Sequence, residues 1–231
     1  MPVNPKPIGV TRWLVFAGLW IATLFALAPL DLPLSTSVNT PDSPWANWIA
    51  GYGTLPSTIL YIVAALLVAA SAPRRSPLRN APVVGQASIT LLLAGLLQPF
   101  AITGVMKAAF GRPRFFQLEG RTELYSHFYQ FNDVLQGTSF PSGHVATAVV
   151  GFPVAWVLWR LGHRKLSIAV AAVTATWGII TAAGRIVAGA HFLTDTFFSF
   201  GLALALCPLV GQAALSLHRV LFRKPDVVDG H

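Results

Sequence analysis

The residues from Phe140 to His144 combine the features of an anion-binding turn with those of a proton donor. Pro141 restricts one backbone angle, and Ser142 is suited to cap a helix that starts near His144. Gly143 lets a ligand approach the backbone closely, and the free N–H groups and dipole of a helix start favour an anion such as phosphate. The segment therefore predicts a phosphate-binding turn with His144 as an acid beside it.

A group of cations precedes this turn and directly follows a long apolar stretch. Lys107 and Arg114 are seven residues apart, which places them on one helix face if the turn around Pro113 does not rotate them away. Arginine offers a planar fork for phosphate oxygens, and lysine offers a compact positive charge. Contact with lipid headgroups would also explain cations at this position.

A third group of polar residues follows the turn. His191 and Asp195 are four residues apart, so one helix face carries both if a helix starts near His191. The carboxylate can then accept a hydrogen bond from one ring nitrogen and leave the other nitrogen free as a nucleophile. Gly189 can separate the apolar stretch that ends near Arg185 from the next one. A lone pair of this kind is more often structural, but the presence of Lys107, Arg114 and His144 at the same edge favours a catalytic role.

The composition is that of an integral membrane protein. Of the 231 residues, 54% are apolar and 10% are charged, and the mean hydropathy is +0.62. A bilayer core about 30 Å thick needs roughly 20 apolar residues of helix. We predict an all-α membrane protein that forms one domain over residues 1–231, with six transmembrane helices in one bundle. The approximate spans are 13–30, 56–72, 81–106, 145–160, 166–184 and 196–217, and the first is expected to be retained rather than cleaved.

The basic residues predict the orientation of the bundle. With six spans both termini lie on one side, and eleven of the sixteen Lys and Arg residues lie there, so this side is predicted to be cytoplasmic. These eleven are Lys6, Arg12, Arg74, Arg75, Arg79, Arg160, Arg164, Lys165, Arg219, Arg223 and Lys224. The basic rim explains the net charge of +8 without a nucleic-acid partner. The other five, on the side where the rule disfavours them, are Lys107, Arg112, Arg114, Arg121 and Arg185.

The remaining segments are predicted to be loops or to carry no chemistry. Residues 31–53 are expected to form an outer loop whose tryptophans lie in the membrane interface. Residues 115–139 form the longest polar loop, which is either functional or an aromatic interfacial belt. Cys207 is the only cysteine, so there is no disulfide and no thiolate metal site. No carboxylate cluster is present to hold Mg²⁺, and we predict no metal and no cofactor.

The predicted spans bring the three polar groups to one outer rim. The expected donors are Lys107, Arg114, Ser142, Gly143 and Arg185, and they are joined by His144, His191 and Asp195. Phosphoryl transfer depends chiefly on positioning and on charge stabilisation of the phosphoryl oxygens, which such donors supply. The pattern therefore predicts a phosphoryl-transfer site.

These three groups resemble the signature of the type 2 phosphatidic acid phosphatase (PAP2) superfamily, which includes the vanadium haloperoxidases. Its pattern is Lys-x6-Arg-Pro, then Pro-Ser-Gly-His, then Ser-Arg-x5-His-x3-Asp. The chain departs at two positions, with Phe115 in place of the usual Pro and Gly184 in place of the usual Ser. The resemblance implies that His191 attacks phosphorus to form a phosphohistidine, that Asp195 orients it, and that His144 protonates the leaving group. It also implies that Lys107, Arg114, Ser142, Gly143 and Arg185 hold the phosphoryl oxygens.

The resemblance and the predicted topology suggest a metal-independent lipid phosphatase of a bacterial inner membrane with a periplasmic active site. The expected partners are the bilayer and a lipid phosphate, and the oligomeric state stays open. Candidate substrates are undecaprenyl pyrophosphate, the 1-phosphate of lipid A, phosphatidylglycerol phosphate and phosphatidic acid, with a slight preference for lipid A. The alternatives are a lipid phosphotransferase with the same site, a non-catalytic lipid transporter or scaffold, and a haloperoxidase, which the apolar composition disfavours.

Overall fold

The computed structural model describes residues 10–73, 76–132 and 137–222, and within these ranges the regular structure is entirely helical. The α-helices are α1 (Val10–Leu27), α2 (Asp31–Val38), α3 (Pro44–Tyr52), α4 (Leu55–Ser71), α5 (Pro82–Gly95), α6 (Thr103–Phe110), α7 (Gly143–Ala148), α8 (Gly151–Arg160), α9 (Arg164–Val187) and α10 (Leu193–Leu221). Both chain termini lie outside the described residues, as do five of the basic residues used to predict the orientation, Lys6, Arg74, Arg75, Arg223 and Lys224.

Five helical segments in the described part of the chain are long and apolar enough to cross a membrane. They are Thr11–Val38, Pro44–Ser71, Pro82–Leu118, Arg164–Val187 and Leu193–Leu221. Large apolar side chains such as Leu14, Leu66 and Val173 are exposed on the outer faces of these helices, where a bilayer would cover them. The prediction of an all-α membrane protein is confirmed.

The first helical segment is longer than the predicted span 13–30. A single 3₁₀ turn, Ala28–Leu30, joins α1 to α2, and the helix continues to Val38. The prediction ended the span at Asp31 because a carboxylate is costly in an apolar environment. In the structure Asp31 is completely buried and paired with Arg112, so the helix continues past it.

The expected outer loop 31–53 is wrong, because most of it is helical. After α2, the tryptophan-containing segment forms α3, which begins with Pro44 at a position that tolerates proline. Ala46 and Ile49 are buried and α3 packs against α9, while Trp45 and Trp48 are exposed on the other face. Two faces of different polarity and burial explain why the segment reads as interfacial in the sequence.

The third predicted span contains a π-helical segment, Leu96–Ile102, between α5 and α6. Pro99 lies inside it and cannot donate a backbone hydrogen bond, which favours a local widening of the helix. The side chain of Gln98, 1% exposed, donates to the carbonyl of Ser199 on α10 at 2.9 Å. This contact ties the widened segment to the last helix.

The fourth predicted span, 145–160, is two short helices, α7 and α8, separated at Val149 and Val150. Neither is long enough to count as a spanning helix by itself, which is why five candidates are found and not six. The pair lies inside the bundle, where α8 packs against α5, α9 and α10. Val145, Val149 and Val157 are completely buried, so these two helices contribute to the core of the bundle.

Candidate active site

The three polar groups predicted from the sequence meet at one end of the bundle. A side-chain carbon added at Gly143 would lie 3.7 Å from the Cε atom of Lys107, so the start of α7 lies beside the end of α6. The backbone N–H of Ser142 donates to the carbonyl of Asp195 at 3.2 Å, which joins α7 to the start of α10. The structure thus brings the Lys107, Ser142 and Asp195 groups together.

The turn before α7 has the predicted cap. Ser142 is the N-cap, and its hydroxyl oxygen accepts a hydrogen bond from the N–H of Val145 at 3.4 Å. The helix begins at Gly143, one residue earlier than predicted. Because the hydroxyl acts here as an acceptor, its proton stays available for a ligand.

Three cations line this end of the bundle without a carboxylate partner among the described residues. The ammonium of Lys107 donates to the carbonyl of Thr138, and Nη2 of Arg114 donates to the Thr138 hydroxyl at 3.0 Å. Arg185 is 6% exposed, and its Nε atom, like that of Arg114, is buried without a hydrogen-bond partner in the described part of the chain. These two donors are therefore free to bind an anion.

A cavity of about 620 Å³ opens beside this cluster, a volume within the usual range for ligand pockets. Its walls include Lys107, Thr138, Gly137, Phe131 and Asn132, so it combines a cation with backbone and aromatic surface. Among the described residues its lining includes neither His144 nor His191. The cavity therefore adjoins the cation side of the site rather than enclosing both histidines.

His191 is held in a tight connection between α9 and α10. Gly189 has a φ of +67°, a left-handed conformation that favours glycine, and it lets the chain reverse after α9. The N–H groups of Ala190 and His191 both donate to the carbonyl of Arg185, at 3.0 and 3.2 Å. His191 itself is 1% exposed, so its ring position is set by packing on all sides.

The His191–Asp195 pair forms, although α10 begins at Leu193 and not at His191 as predicted. Nδ1 of His191 lies 3.6 Å from Oδ2 of Asp195, which is ion-pair distance but too long for a hydrogen bond. Nδ1 has no hydrogen-bond partner among the described residues. The ring nitrogen that faces away from the carboxylate, Nε2, is the candidate nucleophile.

Asp195 is completely buried, and donors surround its carboxylate. Oδ2 accepts the N–H of Phe192 at 2.8 Å, which caps α10, and also the hydroxyl of Ser139. Oδ1 accepts from Nη1 of Arg112. These contacts fix the carboxylate on three sides and leave it facing His191.

Burial disfavours the charged form of both histidines of the site. Burial lowers the pKa of His144 to about 4, and the positive charge of Arg185 acts in the same direction. Burial lowers the pKa of His191 to about 3, although the neighbouring Asp195 opposes this shift. Nε2 of His144 lies 3.1 Å from the carbonyl oxygen of Ala50, so this nitrogen carries the proton and donates to α3.

Comparison with known families agrees with this geometry. The model of the PAP2 superfamily matches residues 86–216, which is more than half of the chain. The chain belongs to the PAP2 superfamily. This membership confirms the resemblance predicted from the three sequence groups and indicates a phosphatase that acts on phosphate esters. Comparison with curated proteins and with solved structures gives no match to this chain.

The two departures from the PAP2 signature have a structural context. A side-chain carbon at Gly184 would lie 2.8 Å from Cβ of Ile49, so glycine is what allows α3 to pack this closely on α9. Phe115 packs edge-on against Phe192, with ring centroids 6.3 Å apart, beside the connection that carries His191. Both substitutions therefore accompany contacts that support the site.

Sequence reasoning missed the residue at the centre of the buried polar network. Arg112, noted only as one cation on the disfavoured side, is completely buried and uses all three guanidinium nitrogens. Its partners are the Ser126 carbonyl (2.8 Å), the Thr194 hydroxyl (3.0 Å), Asp195, Asp31 (2.9 Å) and the Tyr125 hydroxyl (3.2 Å). Its guanidinium also lies 4.3 Å from the centroid of the Phe192 ring.

Asp31 and Ser139 were also missed, although one signal was available for Asp31. A carboxylate at the end of an apolar stretch needs a partner, and the unexplained cations of the outer rim were the candidates. Ser139 carries no such signal, because a serine in a polar loop is common. Neither the Asp31–Arg112 pair nor the Ser139–Asp195 contact can be derived from sequence spacing.

Within the described ranges, no group of three or more His, Cys, Asp or Glu side chains could hold a metal ion. The acidic side chains of the site are instead engaged with Arg112. Asp133 of the long loop lies outside the described residues.

Proposed function

We propose that this PAP2 superfamily member is a metal-independent lipid phosphatase that works through a phosphohistidine at His191. The supporting observation is a set of one buried and two half-buried cations, without a described carboxylate partner, beside two histidines whose pKa values are lowered by burial. Lys107, Arg114 and Arg185 supply three positive charges, while Asp31, Arg112 and Asp195 together carry one net negative charge. The surplus of two positive charges suits a phosphate monoester, whose charge at neutral pH is about −2.

The first step is attack by His191. Nε2 of the neutral ring donates its lone pair to phosphorus while the bond from phosphorus to the ester oxygen breaks. Lys107, Arg114, Arg185, the Ser142 hydroxyl and the Gly143 N–H hold the three remaining phosphoryl oxygens. A lowered pKa favours this step, because it keeps the ring unprotonated at neutral pH.

His144 supplies the proton that the leaving oxygen needs. In the free site, burial and the neighbouring cations keep this ring neutral. A bound phosphate dianion offsets the positive charges of Lys107, Arg114 and Arg185, which raises the pKa of His144 and favours its protonated form. After the alcohol or phosphate leaves, His144 accepts a proton from a water molecule that attacks the phosphohistidine and releases phosphate.

The bundle supports a lipid substrate. The site lies at one end of apolar helices whose outer faces carry exposed leucines, valines and isoleucines. A phosphate at this depth could therefore occupy the site while its acyl or prenyl chains stay in the bilayer. We accordingly propose a lipid phosphate monoester or pyrophosphate as substrate and the outer face of a bacterial inner membrane as location.

Purified protein should release phosphate from at least one of undecaprenyl pyrophosphate, lipid A 1-phosphate, phosphatidylglycerol phosphate and phosphatidic acid. The rate in excess EDTA should stay within about twofold of the untreated rate, because side chains supply the positive charge. Vanadate should inhibit by occupying the phosphate position. Full loss of turnover in EDTA that Mg²⁺ restores would contradict this mechanism.

The orientation can be tested with single cysteines in a Cys207→Ala background. Thr122 is exposed at the end that carries the site, and His163 is exposed at the opposite end. An impermeant thiol reagent should label Thr122→Cys in intact spheroplasts and label His163→Cys only after the membrane is opened. The parent Cys207→Ala protein is the control, and the reverse labelling pattern would show that the site faces the cytoplasm.

A further inference from the structure

The pair Asp31–Arg112 lies behind the proposed nucleophile and joins elements far apart in the chain. Asp31 begins α2, Arg112 follows α6, and Asp195 lies in the first turn of α10. Both carboxylates contact the same guanidinium, Asp31 through Nη2 and Asp195 through Nη1, and all three side chains are completely buried. Asp31 precedes the matched residues 86–216, so it is an addition to the part of the chain that the family model covers.

The contacts of Asp31 suit an ionised carboxylate. Oδ1 accepts the backbone N–H of Thr194 at 2.9 Å, and Oδ2 accepts from the hydroxyl of Thr194 and from Arg112. A guanidinium and a backbone N–H can only donate, so Arg112 and the N–H of Thr194 require the carboxyl oxygens to act as acceptors. The fixed positive charge of Arg112 favours the ionised form of Asp31, and we take the two as a charge-balanced pair.

This balance bears on the charge that faces His191. If Arg112 were paired with Asp195 alone, its positive charge would cancel the negative charge beside the histidine. Because Asp31 balances the positive charge of Arg112, the three side chains together carry one net negative charge. That charge lies next to His191, since Oδ2 of Asp195 is 3.6 Å from Nδ1 of the ring. Among the described residues, the other charged groups that face this ring are cations, namely Lys107 and Arg185 directly and Arg114 beside them.

We infer that Asp31 is an electrostatic positioning residue for His191, which acts through Arg112 and Asp195 without touching the substrate. The inference rests on the proposed function. When Nε2 of His191 bonds to phosphorus and the ester oxygen leaves with a proton from His144, the ring becomes a cation whose Nδ1–H faces Asp195. The net negative charge maintained by Asp31 stabilises that cation as it forms.

The test is the Asp31→Asn variant, which keeps the shape of the side chain and one of its two acceptor oxygens and removes its charge. We expect kcat to fall by roughly tenfold to a hundredfold, with KM within about threefold of the wild-type value, because the lost charge matters when the ring becomes cationic and not when substrate binds. Asp42→Asn is the matched control: Asp42 is exposed and makes no described ion pair, so this variant should retain wild-type kinetics.

A second variant separates charge balance from simple structural support. Asp31→Asn combined with Arg112→Gln removes one positive and one negative charge, which restores the net negative charge beside His191. The double variant should recover part of the kcat lost in Asp31→Asn, whereas a purely structural role predicts a slower enzyme than either single variant. Thermal melting of each protein shows whether the variant is folded. If the double variant does not fold, the kcat and KM of Asp31→Asn alone test the inference.

Each outcome has a distinct meaning. Unchanged kcat in Asp31→Asn, or a loss no larger than the loss of folded protein, overturns the inference while the proposed function stands. A rise in KM with unchanged kcat overturns it as well, because it would place Asp31 in substrate binding. Wild-type protein that releases no phosphate from any of the four lipids overturns both.

Discussion

The His191→Ala variant should lose turnover of every phosphate ester, by roughly 10⁴-fold or more. The reason is that a nucleophile is required whatever the leaving group, and the described site offers no second unprotonated group in the same position. His191 is buried against Asp195 and is held by the turn at Arg185, so no neighbouring side chain can take its place without a backbone shift. The measurement is phosphate release from a lipid phosphate and from nitrophenyl phosphate.

The control for this variant is His163→Ala, since His163 is exposed at the opposite end of the bundle. Its turnover should match the wild type on both substrates. If His191→Ala hydrolysed the activated ester at a rate close to wild type, His191 would not be the nucleophile. If both histidine variants of the site were fully active, the chemistry would take place elsewhere.

The His144→Ala variant should depend strongly on the substrate. On a lipid monophosphate we expect a loss of about 10²–10⁴-fold, the usual contribution of a general acid. On nitrophenyl phosphate the loss should be clearly smaller, because that leaving group departs without a proton. The structure supports this assignment: among the described residues His144 has no carboxylate beside it, and its Nε2–H donates to the Ala50 carbonyl, whereas His191 faces Asp195.

The ratio of the two rates is the decisive quantity for His144. If His144→Ala were inactive on the activated ester while His191→Ala retained activity on that ester, His144 would be the nucleophile and His191 the general acid. An equal loss on both substrates would point to a role for His144 in holding the phosphate or in the later water step. With the activated ester as substrate, His144→Ala should accumulate an acid-labile, base-stable phosphoenzyme if the attack by water is slower than the formation of the phosphohistidine.

The motif residues could be predicted from the sequence because each lies next to an apolar stretch whose length fixes where it ends. Lys107 at the end of one span, Ser142 before the next and His191 between the last two had to meet at the same end of a bundle. Their functional assignment comes from chemistry and family resemblance. The structure adds their proximity, their burial and the Nε donors of Arg114 and Arg185, which have no hydrogen-bond partner among the described residues.

The buried support of the site could not be predicted in the same way. Asp31 and Arg112 are 81 residues apart, and nothing in their spacing says that they form an ion pair. A charge at the end of an apolar stretch is read as the membrane boundary, which is why the predicted first span ends at Leu30, just before Asp31. Pairing with Arg112 offsets part of the cost of burying that charge, and the helix continues to Val38.

The helix α3 shows a related limit. Its tryptophans suggested an interfacial loop, and the packing of Ile49 against Gly184 depends on how α9 is placed in three dimensions. The same helix supplies the Ala50 carbonyl that holds His144, so a segment without any motif residue takes part in orienting one. Sequence patterns locate reactive groups well but say little about the uncharged backbone that orients them.

The covalent intermediate gives the most direct test of the central claim. Wild-type protein mixed with a lipid phosphate that carries a radiolabelled phosphoryl group, quenched during turnover and digested, should yield label on the peptide that contains His191. That label should be stable in base and lost in acid, as expected for phosphorus bound to a ring nitrogen, and His191→Ala should give none. Label that is stable in acid, or that lies on a peptide without His191, would contradict the account.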